Sequence, residues 1–62
     1  MMYDLVWVDW NAFSIMWYVW QAMKAEWARK EEIAKYREEA TRSNYGNLLI
    51  VSIKMIDFLN KE

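Results

Sequence analysis

Apolar positions crowd the first third of the chain. Residues 3–9, Tyr-Asp-Leu-Val-Trp-Val-Asp, form a short run of β-branched and aromatic side chains closed by an acid, which predicts a buried strand centred on 5–8. From Asn11 to Arg42 no proline or glycine interrupts. The second half of that stretch is rich in helix formers, with Glu26 and Lys30, Glu31 and Lys35, and Glu38 and Arg42 in the favourable i, i+4 order. The expectation is one long helix over 11–42. On its surface Trp10, Phe13, Trp17, Trp20 and Trp27 share one side, while Ile15, Val19 and Ala22 carry the apolar surface round the other. The first turns therefore need cover from more than one direction.

Ser43-Asn44-Tyr45-Gly46-Asn47 holds the sole glycine and a cluster of capping residues, and reads as a turn or helix start. A second helix follows over about 45–60, with Leu48, Leu49, Val51, Met55, Ile56, Phe58 and Leu59 on one face and Lys54, Asp57 and Lys61 opposite. The pattern predicts an α/β fragment of one strand, one long helix and one amphipathic helix, a single incomplete domain over 1–62. The alternative is an all-α helical hairpin in which Trp17, Trp20 and Trp27 bury against Leu49, Ile56 and Leu59.

Composition narrows the chemistry. The 62 residues are 56% hydrophobic, with five tryptophans and no proline, cysteine or histidine. A chain this short leaves roughly 40% of its unfolded surface exposed on folding, so it builds one small core at most. Zinc ribbons, haem ligation and Cys or Ser–His nucleophilic sites need side chains that are missing, and only Asp and Glu remain as metal ligands. With no disulfide framework, a reducing, cytoplasmic compartment is expected. Eight basic against nine acidic residues give a net charge of −1, which argues against strong steering to nucleic acid or an anionic membrane. Charge is unevenly spread: residues 1–23 carry Asp4 and Asp9 alone, whereas 24–42 is a mixed-charge, solvated stretch. Asp9, Asn11, Ser14 and Gln21 interrupt 5–23 too often for a bilayer span of roughly 20 residues, so a membrane partner is not expected.

Asp9 is the candidate for chemistry. A carboxylate at the end of a buried strand and ahead of a helix stands where open α/β folds place ligand sites, and it suits a hard divalent cation. The structural alternative is that Asp9 caps the helix through the free amides of Asn11 or Ala12, with Asn11 itself a cap or turn residue. The tryptophan set has a similar choice: core, base-stacking platform, lipid belt or partner groove, of which helical spacing favours core.

Leu-Val-Trp-Val-Asp9-Trp-Asn11-Ala-Phe resembles the start of the 5′→3′ exonuclease and flap endonuclease family, especially its bacteriophage members. In that family a hydrophobic strand ends in a metal-binding Asp ahead of an aromatic-bearing helix. Ser43-Asn44-Tyr45-Gly46-Asn47-Leu48-Leu49-Ile50 is similar to the family's Asn/Ser-x-Tyr-Gly segment opening its next helix. Trp10 stands where the family generally has glycine. The resemblance implies a PIN-like α/β fold and two-metal hydrolysis of a phosphodiester by Mg²⁺ or Mn²⁺, with Asp9 as catalytic metal ligand and Asn44 and Tyr45 as nucleic-acid contacts. The family's remaining acids lie on later elements. The chain would thus be the N-terminal piece of a phage-type nuclease, cytoplasmic in a bacterial host, inactive alone and reaching DNA only through a complex with a second chain.

Two further functions compete. One is a non-enzymatic helical protein that binds a protein partner or self-associates through Trp10, Trp17, Trp20, Trp27, Leu49 and Ile56. The other is a small membrane subunit anchored by 5–23.

Overall fold

The computed structural model describes residues 2–26 and 28–61, the side chain of Trp7 excepted. It is a three-helix arrangement measuring 27 × 26 × 16 Å, and no strand forms among the described residues. The α/β expectation is therefore corrected. The run expected as a strand is a single 3₁₀ turn, Leu5–Trp7, capped by Asp4, whose carboxylate accepts from the Val6 amide at 3.0 Å. A strand needs an edge to pair with, and three helices offer none.

The long helix is also corrected, into two. Helix α1, Ala12–Ala25, opens at Asn11, whose side-chain oxygen accepts from the Ser14 amide at 2.8 Å. It closes where the Ala28 amide reaches back to the Met23 carbonyl at 2.9 Å, a six-to-one bond that ends a helix without needing proline. Helix α2, Lys30–Ala40, begins at Arg29, whose amide donates to the Glu32 carboxylate at 2.8 Å. A continuous helix over 11–42 would run about 48 Å and hold its charged half away from any core. The break turns α2 back so that Ile33, Tyr36 and Ala40 meet the other helices. It also separates Glu26 from Lys30, so that expected helical pair cannot form. The ion pairs among the described residues are Glu39 with Arg42 at 3.0 Å and Asp57 with Lys61 at 3.2 Å, both on the surface.

Helix α3, Tyr45–Lys61, starts at Asn44, whose side-chain oxygen accepts from the Asn47 amide at 3.0 Å. Asn47 donates in turn to the Glu39 carbonyl at 2.8 Å, fixing the start of α3 against the end of α2. The three-helix result is the all-α alternative in class, with the hairpin's single long arm folded in two.

The core draws Val19, Ala22 and Met23 from α1, Tyr36 and Ala40 from α2, and Leu48, Ile56 and Leu59 from α3. Ile15 is buried beside them. A buried polar pair within the core is satisfied: the hydroxyls of Tyr36 and Ser52 share a hydrogen bond of 2.7 Å, as buried polar groups require. Tyr3 and Asp4, at the start of the segment before α1, are tied to three side chains. Tyr3 exchanges two hydrogen bonds with the Asn60 side chain, at 2.7 and 2.9 Å. The Tyr3 hydroxyl donates to Glu26 at 2.7 Å, and the Asp4 amide donates to the Tyr18 hydroxyl at 2.9 Å.

The expected tryptophan core is corrected for Trp10 and Trp17, which are exposed; Trp20 is half-buried, and Trp27 lies outside the described residues. Helix α1 buries its aliphatic side, Ile15, Val19, Ala22 and Met23, and turns its aromatic side outward. Helix axes pack at about 8–10 Å, closest where the facing residues are small. The Val19 and Ala22 side of α1 allows the close approach that a row of indoles would prevent.

Candidate protein interface

The outward side of α1 presents Phe13, 79% exposed, and Trp17, 54% exposed. These two sit one helical turn apart and divide the surface into two shallow clefts. One, of about 330 Å³, is lined by Val8, Asp9, Phe13, Ser14, Trp17 and Tyr18. The other, of about 370 Å³, lies toward α2 and is lined by Phe13, Met16, Trp17, Trp20 and Arg37. No side chain from Trp10 through Met23 carries a formal charge. Charge returns at the two ends of α1, where Asp9 borders the first cleft and Lys24 lies over the Trp20 ring, 4.8 Å from its centroid; Arg37 reaches the middle of the face from α2, beside the second cleft. The face is apolar along its length, acidic at one end and basic at the other.

The remaining sequence candidates are dispersed. Trp10 is exposed ahead of α1, and its carbonyl accepts a hydrogen bond from the Tyr45 hydroxyl. That bond joins the two segments that carry the nuclease resemblance, although Asn44 is occupied as the cap of α3. Trp20 and Leu49 are half-buried, and Ile56 lies in the chain's own core. Trp27 lies outside the described residues.

Asp9 is exposed. Around its cleft stand one carboxylate, two hydroxyls and otherwise apolar side chains, whereas a hard divalent cation takes about six oxygen ligands. No group of three or more acidic, His or Cys residues gathers among the described residues. The residues present do not fit a Mg²⁺ or Mn²⁺ site on their own. No described helix is long and apolar enough to cross a membrane. No family model, curated protein or solved structure matches the chain.

Phe13 was legible in the sequence as part of the aromatic stripe but not as the most exposed of its described members. The available signal was the small, β-branched composition of the opposite side, Ile15, Val19 and Ala22, which suits close helix packing better than indoles do.

Proposed function

We propose that the chain is a non-enzymatic helical module that binds protein through the outward side of α1. The observation that carries this reading is the inversion of α1. Its aliphatic residues are spent on the core while Phe13 and Trp17 stand in solvent within an uncharged stretch. Contiguous exposed apolar surface of this kind marks interaction sites, and aromatic residues supply most interface hot spots. The nuclease reading rested on a strand ending at Asp9 together with the helix start at Asn44–Gly46, of which the second forms as α3. With the expected strand a 3₁₀ turn and Asp9 a lone surface carboxylate, protein binding has the stronger support.

The test is a photo-crosslinking amino acid in place of Phe13, with the same group at exposed Glu31 as control. The expected result is an adduct of protein mass from position 13, with the chain itself or another protein, well above the yield from position 31. Equal yields at the two positions, or adducts of lipid mass alone, overturn the reading.

A further inference from the structure

The geometry points to a second copy of this chain as the occupant of the α1 face, packed antiparallel about a two-fold axis. This rests on the protein-binding reading above and specifies its partner. Three observations select a second copy. The first is charge: the face is acidic at its start, with Asp9, and basic at its end, with Lys24, while Arg37 borders its middle from α2. Such a surface is complementary to itself only when reversed, the relation that an isologous two-fold contact imposes.

The second is register. With the axis beside residues 16 and 17, Asp9 falls opposite Lys24 of the second copy, Phe13 opposite Trp20 and Met16 opposite Trp17. One alignment thus serves the charged ends and the aromatic centre together. Phe13, the most exposed aromatic of the face, then enters the second copy's cleft between α1 and α2, where Met16, Trp17 and Trp20 form the walls.

The third is area. Taking about 200 Å² for a buried aromatic side chain, the exposed parts of Phe13 and Trp17 give about 270 Å², and the smaller exposed fractions of Val8, Met16, Tyr18 and Trp20 bring the apolar surface to about 400 Å² per copy. With the polar rim of Ser14, Gln21, Asp9 and Lys24, the pair reaches roughly 1,000–1,200 Å², the lower bound of a stable interface. That size is the range of weak, reversible dimers.

Sedimentation equilibrium of the 62-residue chain from ~10 μM to ~1 mM tests this, with circular dichroism confirming that each variant remains helical. The unmodified chain is expected to pass from monomer to dimer, and Phe13→Glu to remain monomeric. Asp9→Lys and Lys24→Glu each replace two attractive pairs by two repulsive ones, and each is expected to weaken the dimer about tenfold. The double variant, with the charges exchanged, is expected to recover most of that loss. A chain that is monomeric throughout overturns the proposal. So does a dimer indifferent to Phe13→Glu, a failure of the charge exchange to recover, or assembly beyond two copies. Adducts at position 13 with a different protein, from a chain that sediments as a monomer, would leave the protein-binding reading intact and remove only the second copy as its partner.

Discussion

Tyr36 and Ser52 show how a polar pair is accommodated in a core this small. Both are buried and their hydroxyls satisfy one another at 2.7 Å. Removing either hydroxyl leaves the other's hydrogen bond to be made elsewhere, at a cost of about 1–2 kcal/mol. Tyr36→Phe and Ser52→Ala are each expected to lose that much in urea unfolding, and the double variant less than their sum. Additivity within about 0.3 kcal/mol would show the bond contributes nothing. Burial also raises the Tyr36 phenol above its ordinary value of 10.0, only partly opposed by the bond to Ser52. The unfolded chain titrates at the ordinary value, so this group's stabilisation is complete below pH 10 and is lost as pH rises toward the folded value. The alkaline loss should be smaller in Tyr36→Phe. Gly46 offers a contrasting case within the first turn of α3. A Cβ there would meet the Asn44 side-chain oxygen at an ordinary 3.4 Å, so Gly46→Ala is expected to stabilise by about 0.5 kcal/mol through reduced unfolded-state freedom, read from the urea midpoint. A loss would mean that the cap at Asn44 yields to the new methyl.

Helix α1 decides the character of the molecule because its two sides have opposite tolerances. Ala22 faces the core at 3% exposure, and Ala22→Leu is expected to destabilise by about 1–3 kcal/mol through overpacking. Trp17→Ser, on the outward side, should change monomer stability by less than about 0.5 kcal/mol despite removing the larger side chain. Measured at a concentration where the chain is monomeric, the reverse ranking would show that the aromatic side is the core. This partition was only half legible in the sequence. The apolar periodicity of α1 was plain, but both of its sides are apolar, and hydrophobicity alone names the larger residues as buried. Size decided otherwise. Helix α3 was readable in its start, signalled by Asn44 with Gly46, and in Leu48, Ile56 and Leu59 of its inner face; Phe58, expected on that face, is exposed, and the buried Ser52 was not expected there. The break after Ala25 carried no glycine or proline, and propensity alone could not locate it. The signal was the change from apolar to charged composition near Lys24, with Ile33, Tyr36 and Ala40 as the sparse inner stripe that α2 needs.

At the scale of the molecule, the expected strand failed because β-branched and aromatic content over 3–9 reports burial potential and not pairing, and a chain of three helices offers no edge to pair with. Asp9 drew its expected role from that strand and stands in the structure as an exposed carboxylate beside the α1 cleft. The segment's real partners, Tyr18, Glu26 and Asn60, lie on two other elements, beyond the reach of local periodicity. Asn60→Ala removes both bonds to Tyr3 and is expected to cost about 1–2 kcal/mol, lowering the melting temperature by roughly 4–8 °C per kcal/mol in a domain of this size. An unchanged melting temperature would show that the segment is held by its side-chain packing alone. The same clasp joins positions 57 residues apart in the chain, while the helices form from contacts close in sequence. Closing that longest loop is rewarded late on the route to the native state. Asn60→Ala should therefore leave the refolding rate nearly unchanged and accelerate unfolding about five- to thirtyfold, placing almost all of its effect on the unfolding limb of a chevron plot. The residue that binds the two ends of the chain would then act as a latch on the folded protein's lifetime, with little part in how quickly it forms.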